Sequence, residues 1–109
     1  MAELNETAEL QVQTTLEPSG AVLVSVEGEL DVSNARQLES AVARATDEHK
    51  PSELVFDLAG LRFMDSAGIA VLLGATKRVE RVSLRQPSPI VRRVVELTGL
   101  SAVLPVAEQ

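Results

Sequence analysis

Asp65 and Ser66 stand side by side where an apolar strand gives way to an apolar helix, within Leu58-Ala59-Gly60-Leu61-Arg62-Phe63-Met64-Asp65-Ser66-Ala67-Gly68-Ile69. A serine hydroxyl in such a place can do one of two things. It can cap the helix, since Ser is among the favoured N-terminal capping residues. Or it can accept a phosphoryl group, adding about −1.5 to −2 charge where orphan N–H groups and the helix dipole favour an anion. Ala67 and Gly68 are small enough to let another protein's active site approach the hydroxyl. Asp65 would orient that hydroxyl or repel an added phosphate. Local sequence leaves both readings open. Sites in open α/β sheets gather at the carboxyl ends of strands, which is where this segment falls.

The other residues able to do chemistry carry less. Glu29, Asp31, Asp57 and Asp65 could be imagined as a magnesium site, an acid–base pair or the acidic cluster of a receiver domain. The helices are too few for a receiver and no Lys follows a late strand, so the geometric requirements are not met. His49 is the single histidine; between Glu48 and Lys50 in a polar loop it reads as solvated. There is no cysteine, which excludes disulfides and thiolate metal sites. No P-loop sequence occurs, and no cofactor or metal is expected. Lys77, Arg78, Arg81, Arg85, Arg92 and Arg93 are expected on exposed helix and loop faces, free to pair with acidic neighbours.

These residues need a scaffold, and hydrophobic periodicity supplies one. Leu10, Val12 and Thr14 alternate with polar residues as in a half-buried strand, and Pro18-Ser19-Gly20 predicts a hairpin turn. Ala21 to Val26 reads as a central strand ended by Gly28. Ser33 is placed as the N-cap of a helix with Ala35, Leu38, Val42 and Ala45 on its buried stripe. Asp47 to Ser52 reads as a loop, Glu53 to Leu58 as a strand that exits at Ala59-Gly60. From Ser66 a helix follows, with Ile69, Leu72, Leu73 and Thr76 on one face. Val82 to Leu84 is a short strand. Ser88-Pro89 starts a third helix carrying Ile90, Val91, Val94, Val95 and Leu97, and Gly99 can end it. Val103 to Val106 is a final edge strand that tolerates Pro105. The order β-β-α-β-α-β-α-β implies an α/β fold, with parallel neighbours and one antiparallel edge.

Composition narrows the function classes. The chain of 109 residues is expected to be one domain over residues 1–109, with 1–8 flexible, and a domain of this size buries roughly two thirds of its unfolded surface. Aromatics make up 2%, so stacking platforms for bases are missing. The net charge of −6 repels phosphate backbones and anionic membranes, so neither nucleic acid nor membrane is an expected partner. No signal peptide is visible, and the apolar run Ala67 to Ala75 is too short to span a bilayer. A cytoplasmic location is expected.

Three stretches together carry a resemblance: Glu27-Gly28-Glu29-Leu30-Asp31, then Phe63-Met64-Asp65-Ser66-Ala67-Gly68-Ile69, then Pro87-Ser88-Pro89 through Glu96-Leu97-Thr98-Gly99-Leu100. In order and spacing, from about Val22 to Val106, they resemble the bacterial anti-sigma factor antagonists of the STAS domain family. The resemblance implies a mixed β-sheet with helices packed on one side and a non-enzymatic, partner-switching role. The unphosphorylated form would bind an anti-sigma factor that is also a serine kinase, and so free a sigma factor for transcription, in settings such as stress response or sporulation. The kinase would phosphorylate the serine after the aspartate, which is Ser66, and a serine phosphatase would reset it. Many relatives have Ser or Thr next, where this chain has Ala67, which leaves Ser66 as the single acceptor.

The docking surface so implied comprises Asp65, Ser66, Ala67, Gly68 and Ile69. Asp31, Ser33 and Asn34 join it if the strand before them neighbours Glu53 to Leu58. Asp31 or Ser33 can equally cap the first helix, and the two roles are compatible. The expected assembly is a monomer or weak dimer. A second reading is a non-switching STAS subunit of a lipid or anion transporter or another assembly, for which an acceptor serine would be needless.

Overall fold

The strands of this chain have one apolar face and one polar face, and the fold follows from covering the apolar one. A computed structural model describes residues 10–107; the stretch 1–8 expected to be flexible lies outside them. Strand β1 (Gln11–Leu16) pairs antiparallel with β2 (Val22–Leu30) through a turn in which Glu17 accepts the amide of Gly20. Helix α1 (Ala35–His49) leads to β3 (Glu53–Met64), then α2 (Ser66–Ala75), β4 (Arg81–Arg85) and α3 (Pro89–Leu97). A short 3-10 turn, Leu100–Ala102, precedes β5 (Val106–Ala107). The five strands lie in the order β1-β2-β3-β4-β5, parallel from β2 onward. This is the expected α/β order with its antiparallel edge.

Val22, Val24, Val26 and Leu30 of β2, Leu54, Phe56 and Leu58 of β3, and Val82 and Leu84 of β4 are all buried. They form one core with Leu38 and Val42 of α1, Leu72 and Ala75 of α2, and Val91 and Val95 of α3. The alternate residues Glu27 and Glu29 are exposed, and Ser25 and Asp57 half-buried. The helices therefore cover one face of the sheet and leave the other to solvent, as period-two patterning requires.

Several boundaries differ from expectation. β3 does not end at Leu58 but runs to Met64, and β2 passes Gly28 to reach Leu30. Two register shifts explain this: Ser25 pairs with Asp57 but Glu27 with Gly60, and Gly28 pairs with Leu61 but Glu29 with Phe63. Each shift inserts one extra residue into β3, a β-bulge, so the buried residues after Leu58 are Leu61 and Met64 and strict alternation is lost. Gly28 takes a positive φ of 112°, which a glycine adopts without penalty. Gly60 lies so close to β2 that a Cβ there would sit 2.7 Å from Cγ of Glu27.

Asp47, Glu48 and His49 are the last turn of α1 rather than a loop, because Lys50 enters the left-handed region at φ 45° and ends the helix just before Pro51. On α2 the buried residues are Gly68, Leu72 and Ala75, while Ile69 and Leu73 are half-buried against the core. The last strand comes later than Val103, because Val103 and Leu104 first close the 3-10 turn through amide bonds to the Leu100 carbonyl. The opening of α3 matches expectation: Ser88 accepts the Val91 amide, Pro89 takes the first turn, and Gly99 follows in the left-handed region.

Candidate functional site

The parallel strands β2 and β3 end together, with Leu30 opposite Met64. The Leu30 carbonyl then accepts the Asp65 amide at 3.1 Å. This places the turn after β2 and the start of α2 beside each other at the carboxyl edge of the sheet. The bulges make this possible, since the extra residues they take up in the longer β3 bring Met64 opposite Leu30.

Asp65 caps α2. Its backbone is extended, and its Oδ1 accepts the Ala67 amide at 2.8 Å and the Gly68 amide at 3.4 Å. The Ile69 amide closes the first helical turn on the Asp65 carbonyl. Ser66 is therefore the first helical residue and not the cap, contrary to the expectation that it falls at the capping position. Asp and Ser cap equally well, and the strand-end bond to Leu30 decides which of them sits at the junction. Ser66 is exposed, and among the described residues no hydrogen bond engages its hydroxyl. The Ala67 and Gly68 amides, which were expected to welcome an anion, are already bound to the Asp65 carboxylate. A phosphate on Ser66 would thus face outward beside a like charge.

The neighbouring turn is held by side chains. Asp31 Oδ1 accepts the Ser33 amide at 2.9 Å and the Ser33 hydroxyl at 2.6 Å. The Ser33 hydroxyl, seconded by the Ser33 amide, holds the Asp31 carboxyl below its usual range. The Asp31 amide donates to Asn34 Oδ1 at 2.9 Å, and Asn34 Nδ2 donates to the Glu29 carbonyl at 2.8 Å. Neither Asp31 nor Ser33 caps α1 through its side chain. Asn34 occupies the capping position, with its amide turned back toward the strand, and the Ala35 amide is met by the Asp31 carbonyl instead. Ser33 is exposed, while Asp31 and Asn34 are half-buried.

The structure thus brings Asp31, Ser33 and Asn34 into the turn next to Asp65 and Ser66, both leaving from paired strand ends. Ala67 and Ile69 are half-buried. Gly68 does not face outward: it is buried, and a Cβ on it would lie 2.6 Å from Met64 Cγ and 2.7 Å from Leu30 Cδ2. Its smallness serves the packing of α2 on the strand ends rather than the approach of a partner.

Two apolar residues escaped the sequence reading. Val32, within the Asp31 turn, is 80% exposed, and Phe63, next to the end of β3, is 45% exposed. An apolar residue flanked by Asp31 and Ser33 was the visible signal for Val32. Phe63 required the bulge register, which sets it opposite the exposed Glu29.

Elsewhere, among the described residues, ion pairs join Arg78 with Asp47 at 3.9 Å, Arg81 with Glu53 at 3.9 Å and, half-buried, Arg85 with Glu17 at 4.0 Å. Arg85 and Arg92 are half-buried rather than exposed. Asp57 caps its own bulge by accepting the Ala59 amide at 3.1 Å. Among the described residues no cluster of metal-ligating side chains occurs, and no helix is long and apolar enough to cross a membrane.

Comparison with known proteins adds an independent line. The profile of the STAS domain matches residues 12–109. The anti-sigma F factor antagonist of Lysinibacillus sphaericus is 32% identical over 83 residues, which span 72% of this chain and 71% of that protein. The crystal structure of an anti-sigma factor antagonist from Mycobacterium paratuberculosis superposes with a TM-score of 0.84 at 27% identity, covering 94% of this chain and 88% of the other. The anti-sigma factor antagonist SpoIIAA in its unphosphorylated form gives a TM-score of 0.77 at 27% identity, covering 91% and 90% of the two chains.

Proposed function

This chain belongs to the STAS domain family, and from that premise we propose that it is an anti-sigma factor antagonist switched by phosphorylation of Ser66. In its unmodified form it binds an anti-sigma factor that is also a serine kinase, and thereby releases a sigma factor. A serine phosphatase restores the bound state. The observation that carries this reading is the division of labour at the start of α2: Asp65 holds the helix, and Ser66 stands exposed with an unengaged hydroxyl.

The transfer step asks little of this chain. The Ser66 oxygen attacks the γ-phosphorus of ATP held by the kinase, the new O–P bond forms as the bond to ADP breaks, and the hydroxyl proton leaves to a base. Asp65 Oδ1 serves the Ala67 and Gly68 amides as the helix cap, and we assign the base to the kinase, as in other phosphoryl transfers to a hydroxyl. The product gains about −1.5 to −2 charge beside Asp65 and Asp31. Among the described residues no bond of the fold is spent on the hydroxyl, so the modification acts on the partner's docking and not on folding. Val32 and Phe63 offer the apolar area that a partner covering the serine would bury.

Intact-mass spectrometry of the protein from its own cells, with peptide mapping, tests the reading. One phosphate confined to Ser66 supports it. A chain unmodified under every growth condition, and equally bound to its partner throughout, would favour a non-switching subunit instead.

A further inference from the structure

The turn after β2 displays an apolar residue where turns ordinarily carry none. The Asn34 amide closes it on the Asp31 carbonyl at 3.1 Å, which leaves Val32 and Ser33 as its two central residues. Gly, Pro, Asn, Asp and Ser dominate such positions, each for a conformational reason that a β-branched aliphatic side chain does not supply. Val32 is there nonetheless, and at 80% exposure it is the barest large apolar residue among those described.

A lone apolar residue on a surface needs no explanation by itself. Two features set this one apart. The turn is held rigid around it: Asp31 Oδ1 takes both the amide and the hydroxyl of Ser33, and Asn34 bridges the Asp31 amide to the Glu29 carbonyl. The flanking side chains are thus spent on the turn itself. A β-branched residue has one stiff χ angle, so on such a frame it loses little entropy when a partner buries it. The second feature is place. Leu30 and Met64 are paired, and the Leu30 carbonyl accepts the Asp65 amide. Val32 lies two residues beyond one side of that joint, and Ser66 two residues beyond the other. A molecule whose active site covers the Ser66 hydroxyl meets Val32 on the same sheet edge.

We infer that Val32 is the apolar anchor by which this chain selects its anti-sigma factor kinase: it fills an apolar pocket beside the kinase active site. Asp31, Ser33 and Asn34 act as positioning residues that hold it outward. The inference rests on the reading of Ser66 as the phosphate acceptor and names what recognises the chain at that site. A central side chain that is fully desolvated carries a disproportionate share of binding. Val32 stands apart from the transferred phosphoryl group, so it binds ground state and transition state alike and acts on KM rather than kcat.

The probe is the serine kinase retained from a lysate of the native cells on the immobilised Ser66→Ala chain, then purified. Its phosphorylation of the full chain is followed with ATP at varied chain concentration. Val32→Ala is expected to raise KM about tenfold with kcat unchanged. Val32→Thr keeps the shape but turns one methyl into a hydroxyl, and should lose nearly as much. Val32→Asp should raise KM about a hundredfold. The first two variants decide the matter even if Val32→Asp misfolds. Ser33→Ala, which loosens the turn, should raise KM about threefold, and Ser33→Thr should restore it; a KM unmoved by Ser33→Ala removes the positioning role. Leu97→Asp, at a residue 74% exposed on α3, should leave both constants unchanged. Val32 variants with the wild-type KM, or a loss matched by Leu97→Asp, overturn the inference and leave the reading of Ser66 intact. Retention of no serine kinase, or phosphate placed elsewhere than Ser66, overturns that reading and the inference with it.

Discussion

The carbonyl of Leu30 accepts the amide of Asp65 at 3.1 Å, so the last residue of β2 fixes the first turn of α2. Through this one bond the end of one strand determines which residue caps the next helix. It puts Asp65 at the junction and pushes Ser66 one place onward, out of structural use.

The first prediction concerns the cap. Asp65→Ala removes the acceptor of two amides and should cost about 1 kcal/mol, or roughly 4 °C in Tm. Asp65→Asn keeps an acceptor of the same shape and should retain most of the stability. Thermal and urea denaturation of the two variants would show the split; equal losses would mean that charge rather than capping matters here.

Ser66 itself should be dispensable for the fold. Ser66→Ala is expected to change stability by less than about 0.5 kcal/mol, as at surface positions without structural roles, and to bind the anti-sigma partner constitutively. Ser66→Asp should weaken that binding at least tenfold, about 1.4 kcal/mol. Calorimetric titration against the purified partner gives both numbers. A loss of stability near 1 kcal/mol in Ser66→Ala would restore the serine to a capping role.

The two glycines of α2 should respond in opposite directions. At Gly68 an added methyl meets Met64 and Leu30 well inside contact distance. Gly68→Ala should therefore destabilise by about 1–3 kcal/mol despite the better helix propensity of alanine. At Gly74 nothing lies within 4 Å of the added atom, and Gly74→Ala should stabilise by about 0.5–1 kcal/mol. Paired denaturation curves are sufficient to check both signs.

Acid should expose the Asp31–Ser33 contact. The Asp31 carboxyl is held below its ordinary value in the folded chain. A carboxyl depressed by folding contributes stability above its unfolded pKa of about 3.9 and loses it as the pH falls through the lower folded value. Ser33→Ala should move the Asp31 titration back up toward the ordinary value. Carbon-detected NMR titration of the carboxyl reads this directly; an unmoved midpoint would show that the hydroxyl does not set it.

Much of this architecture is written in local patterns. Val22, Val24 and Val26 announce a central strand, Ser88-Pro89 a helix start, and the apolar turns of α1 a helix. The adjacency of the Asp31 turn to Ser66 could be anticipated, because sequential β-α-β units place strand ends together. What stayed hidden depends on contacts between distant residues. Leu58, Leu61 and Met64 are spaced by three, which matches no strand period until the bulges opposite Ser25 to Leu30 are known. The choice between Asp65 and Ser66 as cap rests on a bond to Leu30, far away in the chain. The burial of Gly68 likewise depends on side chains from two strands. His49 and its neighbours looked like a loop because the last turn of a surface helix is polar on every side.

The bulges have one more consequence. Between paired positions, β2 advances from Ser25 to Leu30 while β3 advances from Asp57 to Met64, two residues more. Ala59 and Arg62 are exposed within that excess, so their identities are free to drift. Their number is not. Removing one residue there would turn everything downstream to the opposite side of the sheet, directing Met64 to solvent and carrying Asp65 and Ser66 away from Leu30. Ala59 and Arg62 should accept almost any spelling, while the segment should accept almost no change of length.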